Sequence, residues 1–312
     1  MKDQCNIKKI VWALDAFEEE ETQLKIISFL KPLINAINAE IEPVFILSMS
    51  GIPGTFDRQG ILVYLPQAKE KLHGLFGKCD LPRLKPEKII VQGKSRSIRN
   101  DIKTLLDYAH STGAQVIVTG THARKGVSRF FMGSFAETLL LTSDIPIIAC
   151  NPSVHLSNNI RSLLYVTDFS SGSELAFRSV LIFAKQLNSE ITLFYQHEGE
   201  NIEIDSDVLI SENGKWSPAE AKLLNKNLLE ARRKAADWQN IANQEKVSSA
   251  VHFGYGIKNV AEAALEMAQV KKTDMIAIAS IKNPAATLFA GSTSRWIVRG
   301  ATCPVWVLHV SD

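Results

Sequence analysis

Repetition at domain length constrains this chain more than any other feature. Lys9-Ile10-Val11-Trp12-Ala13-Leu14-Asp15 is an apolar run closed by a carboxylate, and Ser162-Leu163-Leu164-Tyr165-Val166-Thr167-Asp168 repeats it 153 residues later. Gly133-Ser134 leads through apolar residues to Ile145-Pro146-Ile147-Ile148-Ala149. Gly291-Ser292 leads to Cys303-Pro304-Val305-Trp306-Val307-Leu308, each landmark displaced by 158 residues. Two halves therefore share one plan, with small insertions between landmarks. Between them, Asn151-Pro152-Ser153-Val154-His155-Leu156-Ser157-Asn158-Asn159 is polar and holds a proline, which is linker composition. The chain of 312 residues reads as two domains, 1–152 and 153–312, each able to bury a core.

In the first half, short apolar runs fall at residues 10–14, 44–47, 89–91, 116–118 and 145–149. Runs of this length, rich in Val and Ile, suit strands covered on both faces. Between them, Leu24, Ile27, Leu30, Ile34 and Ile37 mark one helical face; Ile98, Ile102, Leu105, Leu106 and Ala109 mark another, and residues 135–141 open a third. The second half repeats the order, with strands at 163–166, 191–195, 249–253, 275–278 and 305–308. Ser217-Pro218-Ala219-Glu220 is a capping box with proline at the first helical position and predicts a long helix over 218–245. Residues 198–216 are polar and read as a loop. The expected fold class is α/β: two tandem flavodoxin/Rossmann-like domains, each a five-stranded parallel sheet with right-handed crossovers and helices on both faces.

Composition then narrows the function classes. Thirty-five Lys plus Arg against 33 Asp plus Glu leave a formal charge of +2, far from the basic excess of a dedicated nucleic-acid binder. Cys5, Cys79, Cys150 and Cys303 lie far apart without metal-ligand spacing and read as reduced, mostly buried thiols. The opening residues 1–9 are polar, and no window reaches the roughly 18 consecutive apolar residues of a membrane span. The expectation is a cytoplasmic protein that engages neither membrane nor nucleic acid.

In an open parallel sheet, ligands bind beyond the carboxyl ends of the strands where strand order reverses. Asp15 closes the first strand, and Gly120-Thr121-His122-Ala123 closes the fourth. From there the chain passes Arg124, Lys125 and Arg129 and returns through Met132-Gly133-Ser134 into a helix. A glycine-flanked loop meeting a helix N-terminus offers N–H groups and a positive dipole end to phosphate. On spacing alone, the segment reads first as a set of turns on a solvated basic surface and only second as a phosphate site.

Gly120-x-x-Ala123, nine residues, then Gly133-Ser134 resembles the G-x-x-G-x9-G-[ST] signature of the universal stress proteins. Asp15 after a hydrophobic strand, Thr167-Asp168-Phe169-Ser170, and the closing Ile-Pro-Ile-Ile and Cys-Pro-Val-Trp-Val are similar to the same family, so the likeness spans nearly the whole chain twice. It implies a nucleotide site at the first domain, with Asp15 facing the adenine and backbone at Ala13 and Leu14 beside the ring. Gly120, Thr121, His122 and Ala123 would border ribose and phosphates, with Met132, Gly133, Ser134, Phe135 and Ala136 at the phosphate end. The implied ligand is ATP or AMP, with or without Mg2+, at most one per chain. Two departures bear on it: Ala123 replaces the second glycine, and Ala136 stands where many members carry a hydroxyl. Both favour weak binding, or AMP over ATP. The second domain departs further, with Ala279-Ser280-Ile281-Lys282-Asn283-Pro284 lacking both early glycines, so Asp168, Ser170, Gly291 and Ser292 read as a remnant site.

The resemblance implies a stress-response sensor or scaffold. Because family members commonly pair through the last strand, residues 145–149 and 305–308 are expected to pair within the chain, with a homodimer of the whole chain open. The alternative is an interaction module that binds no nucleotide. His122 has no placeable catalytic partner, His252 and His309 read as structural, and His73 and His110 as members of polar helix faces. Glu18, Glu19, Glu20 and Glu21 suit a helix start, and Arg232-Arg233-Lys234 a solvated face. No Walker loop, S-G-G-x-D-S or H-I-G-H run is present, so at most slow ATP hydrolysis is expected.

Overall fold

The computed structural model describes residues 7–48, 58–92, 97–121, 133–151, 159–197, 218–282 and 292–311. The first half runs β1 (Lys9–Ala13), α1 (Glu20–Ile37), β2 (Glu40–Ser48), α2 (Arg58–Gly77), β3 (Lys88–Gln92), α3 (Ile98–Ser111), β4 (Val116–Gly120), α4 (Ser134–Thr142) and β5 (Ile147–Cys150). The second runs β6 (Ser162–Val166), α5 (Ser171–Leu187), β7 (Glu190–His197), α6 (Pro218–Gln244), β8 (Ser249–Tyr255), α7 (Val260–Lys271), β9 (Met275–Lys282), α8 (Ser292–Gly300) and β10 (Val305–Ser311).

All ten strands join one sheet in the order β3-β2-β1-β4-β5-β10-β9-β6-β7-β8. Within each half the pairing is parallel and the first strand lies between the second and fourth. That is the Rossmann order; of the two related topologies anticipated, the flavodoxin order does not occur. Alternate residues of each strand face opposite layers. Ile10 and Trp12 meet α1 and α2 on one side, while Val11 and Ala13 meet α3 and α4 on the other. Burial on both faces explains why the strands read as continuous apolar runs rather than alternating ones.

The halves meet edge to edge. β5 and β10 pair antiparallel, with Val305 opposite Ala149, Trp306 opposite Ile148 and Val307 opposite Ile147. Ile148 and Trp306 are also counterparts in the repeat, 158 residues apart, so a local twofold axis passes between them. Pairing the two edges within one chain satisfies backbone groups that either half alone would expose. His309 Nε2 donates to the Leu140 carbonyl at 3.0 Å, and Phe183 packs on Trp306 with ring centroids 4.5 Å apart.

The repeat extends to details that sequence offset alone does not reveal. Gln115 Oε1 accepts from the N–H groups of Lys8 and Lys9 at the start of β1, and Asp274 Oδ2 does the same for Arg161 and Ser162 at β6. One expected face needs correction. Leu24 is 37% exposed on α1, whereas Gln23 is 4% exposed and joins Ile26, Ile27, Leu30 and Ile34 toward the sheet. The run of apolar residues around position 30 sets the centre of the face, and at 100° per residue that centre passes through Gln23.

Candidate functional site

The carboxyl ends of β1, β2 and β4 open into a cleft of about 460 Å3, within the range of small-molecule sites. β1 runs out at Leu14, whose N–H donates to the Val44 carbonyl at 3.1 Å, and the chain then bends into α1. The bend is an Asx turn, with Asp15 Oδ1 accepting from the Phe17 N–H at 2.9 Å. Asp168 Oδ1 shapes the second half in the same way, accepting from Ser170 N–H at 2.9 Å and Ser173 Oγ at 2.5 Å. Burial pushes the Asp168 carboxyl up, but the hydrogen bonds from Ser173 and Ser170 outweigh it and hold it below its ordinary value.

Eight of the anticipated site residues line this cleft: Ala13, Leu14 and Asp15 from the end of β1, Gly120 from β4, and Gly133, Ser134, Phe135 and Ala136 from the start of α4. Thr121 does not; it is buried, its N–H bonded to Cys150 and its carbonyl accepting from Gly133, both at 3.0 Å, which ties β4 to β5 and to the start of α4. His122, Ala123 and Met132 lie outside the described residues, as do Arg124, Lys125 and Arg129. The Gly133 N–H is thus engaged, and the first-turn N–H groups of Ser134, Phe135 and Ala136 are those that have no acceptor within α4. Gly133, the N-cap, supplies no side-chain cap.

Sequence reasoning missed the other two walls. The turn before α1 contributes Phe17 and Glu18, α1 itself Thr22, Gln23 and Ile26, and β2 residues 44–48. Phe17 meets Phe45 edge to face with centroids 5.9 Å apart, which makes this end of the cleft apolar and aromatic. From α3 come Ile98, Leu105 and Asp101, the last 2% exposed and accepting from Ser48 Oγ at 2.6 Å. A signal was present: Asp101 lies one helical turn from both Ile98 and Leu105, and Gln23 one turn from Ile27, so each is a polar residue at a core-facing position. Among the described residues, the charged ones that line the cleft, Asp15, Glu18 and Asp101, are carboxylates. The acidic run at α1 also has partners beyond the helix dipole, since Glu20 pairs with Lys78 at 2.6 Å and Glu21 with Lys25 at 2.9 Å.

The second half carries different side chains at the corresponding positions. Thr167 N–H donates to Phe194 O as Leu14 does to Val44, so Phe194 stands where the first half has Val44. By strand register Ile278 replaces Thr119 and Ala279 replaces Gly120, and counting from the N-caps Ser97 and Asn259, Ala263 replaces Asp101. Phe169, the counterpart of Ala16, is buried with φ 55° and meets Trp238 edge to face at 4.9 Å. A left-handed conformation at a residue with a side chain costs on the order of 1 kcal/mol, which the aromatic packing offsets. The Arg232 to Lys234 run is engaged rather than purely solvated: Lys234 Nζ donates to the Phe169 carbonyl at 2.9 Å and Arg232 to the Tyr255 hydroxyl at 3.0 Å. Ser170 and Asn259 cap α5 and α7 with their own side chains, whereas no side chain caps α1 or α4.

Among the described residues, no group of three or more His, Cys, Asp or Glu is placed to hold a metal ion. No described helix is long and apolar enough to cross a membrane. Cys150 and Cys303 are buried free thiols; burial pushes both up, Cys303 to about 12, so neither is nucleophilic at neutral pH. His252 stacks on Phe194, and burial pushes its pKa down, in keeping with a structural role.

A doubly wound sheet with a cleft at the reversal point of one half defines the class: a tandem Rossmann-like α/β protein. The sequence model of the Universal stress protein family matches residues 6–151 and again 159–309, and the chain belongs to that family, as a tandem member. Solved structures agree in fold. A universal stress protein from Archaeoglobus fulgidus DSM 4304 is 17% identical and superposes with a TM-score of 0.60, covering 98% of this chain and 99% of that one. A putative universal stress protein from Pseudomonas aeruginosa UCBPP-PA14 is 11% identical with a TM-score of 0.61, covering 98% and 94%. No curated protein matches the sequence significantly.

Proposed function

We propose that the first half binds one adenine nucleotide per chain and that the protein acts as a cytoplasmic stress-response sensor or scaffold rather than as a metabolic enzyme. The observation that carries this reading is the asymmetry of the two reversal points. In the first half, the aromatic end formed by Phe17 and Phe45 suits a base, and the uncapped start of α4 suits a phosphate. In the second, the larger Phe194 and Ile278 stand at the positions of Val44 and Thr119, and Ala263 removes the carboxylate of Asp101, so that half serves as structural partner. Of the proposed contacts, Ala13, Leu14 and Asp15 border the base, Gly120 the ribose, and Gly133, Ser134, Phe135 and Ala136 the phosphate. Thr121, His122, Ala123 and Met132 complete the loop as family resemblance implies.

Among the described residues, the three carboxylates in the cleft oppose added phosphate charge, which together with Ala123 and Ala136 supports AMP over ATP. Mg2+ would enter on the phosphates, not on a protein-built cage. A homodimer of the whole chain would need a surface other than the β5 and β10 edges, because these are paired to each other.

Calorimetric titration of AMP and ATP into the wild type and Gly133→Asp tests the reading. Gly133 has φ −59° and ψ 144° at the N-cap of α4, where aspartate is a favoured residue, so the variant places a carboxylate at the phosphate end without demanding a strained backbone. Saturable binding near one per chain, tighter for AMP and lost in the variant at unchanged melting temperature, is expected. Two sites per chain, or none at millimolar ligand, would contradict it.

A further inference from the structure

We infer that Gln23 selects the base, its Oε1 accepting a hydrogen bond from the exocyclic amine of a 6-aminopurine; this rests on the nucleotide reading above. Gln23 lines the cleft from α1 and is 4% exposed. Its Nε2 donates to the Asp15 main-chain carbonyl at 3.0 Å. A carbonyl only accepts, so this bond fixes which end of the amide is which. Oε1 is left as a buried acceptor without a protein partner. Such an atom has lost its water and gains nothing in return unless something donates to it.

The repeat shows that a polar residue at this position need not leave an acceptor unmet. Counted from the C-caps Asn38 and Asn188, the counterpart of Gln23 is Ser173 of α5, also 4% exposed, whose hydroxyl donates to Asp168 Oδ1 at 2.5 Å and accepts from Ser170 Oγ at 3.3 Å. Both halves thus tie a buried polar side chain of this helix back to the aspartate after the first strand, but of the two only Gln23 keeps an acceptor, Oε1, that no protein group meets.

Location identifies the donor. Gln23 hangs from Asp15 at the end of the cleft walled by Phe17, Ile26 and Phe45, whereas the start of α4 lies beyond β4. The apolar walls suit a planar ring, and the donor a ring carries at its edge is an amine. A 6-oxopurine would turn a lone pair toward Oε1 and repel it, and a site built to receive a hydrogen bond rejects the analogue lacking it.

The test is binding of AMP, IMP and N6,N6-dimethyl-AMP to the wild-type protein, and of AMP and IMP to Gln23→Met, a replacement of similar volume without polar atoms. Wild type should prefer AMP over each of the others by tenfold or more, and Gln23→Met should bring AMP and IMP within about twofold of each other. Equal wild-type binding of AMP and IMP, tight binding of the dimethyl analogue, or an undiminished preference in a folded Gln23→Met would overturn the inference and leave the nucleotide site standing. Should the variant not fold, the three wild-type affinities decide. Saturation by none of these nucleotides would overturn the nucleotide reading and this inference with it.

Discussion

Glu137 of α4 and Arg295 of α8 are counterparts in the repeat, 158 residues apart, and they bond to each other: Arg295 Nη1 donates to Glu137 Oε1 at 3.2 Å. Arg299 donates to the same oxygen at 2.9 Å, and its own carbonyl accepts from Asn151 Nδ2 at 3.3 Å. The local twofold that brings Ile148 against Trp306 also brings these equivalent positions together. Their opposite charges make the junction heterologous: two first halves joined in this way would place glutamate against glutamate, and two second halves arginine against arginine. Like charges in that geometry are unfavourable, so the pair favours first half on second.

Reversing the charge at one side should therefore weaken the junction. Glu137→Arg sets three guanidinium groups together and is expected to cost about 1–3 kcal/mol, since the pair is half-buried. Adding Arg295→Glu should recover much of that loss. Denaturant unfolding of the single and double variants measures both; an Arg295→Glu effect that merely adds to the first would show that the charges do not couple.

The second half suggests how to close the cleft. Val44→Phe copies Phe194 into the first half, and the open space beside Val44 gives the larger ring room. AMP affinity should fall at least tenfold while the melting temperature holds or rises, because the added ring buries apolar surface worth about 1 kcal/mol or more. Unchanged affinity in a folded variant would place the ligand elsewhere.

Acid should reveal the link between β1, β2 and α3. Glu42 pairs with Lys9 Nζ at 2.8 Å and accepts from the Tyr108 hydroxyl. Burial pushes the Glu42 carboxyl up, but the bonds from Lys9 and Tyr108 prevail and its pKa is lowered, while burial and Glu42 push Tyr108 up to about 12. A carboxyl lowered in the folded state stabilises above its unfolded value of roughly 4.3, and that contribution disappears as pH falls through the folded value. Glu42→Gln should be less stable than wild type at pH 7, by about 1–2 kcal/mol, and the gap should shrink as pH falls below the unfolded value. A gap independent of pH would mean that Glu42 acts through packing alone.

Much of this was written in the linear order of residues. The strand runs, the carboxylates Asp15 and Asp168 at their ends, and Gly133 ahead of α4 are local patterns, set by two-sided burial and turn chemistry, and the family resemblance made the edge pairing of residues 145–149 with 305–308 an expectation. Other features depend on which residues meet across the sheet. Periodicity turns Gln23 rather than its neighbour Leu24 inward, but only the packing of α1 beside β1 and β2 gives its amide the Asp15 carbonyl and a place in the cleft. Asp101 likewise lies on the core-facing side of α3, and only docking of that helix gives it Ser48 as a partner. Phe194 reads as one more strand residue until register sets it where the first half has Val44, and no offset in the sequence says that Glu137 and Arg295 touch. Sequence periodicity fixes which face of an element is apolar, because that is a property of the element alone. Which polar group that face carries into a cleft, and which side chain fills the space beside it, follows from the contacts between elements, which exist only once the two halves are folded and paired.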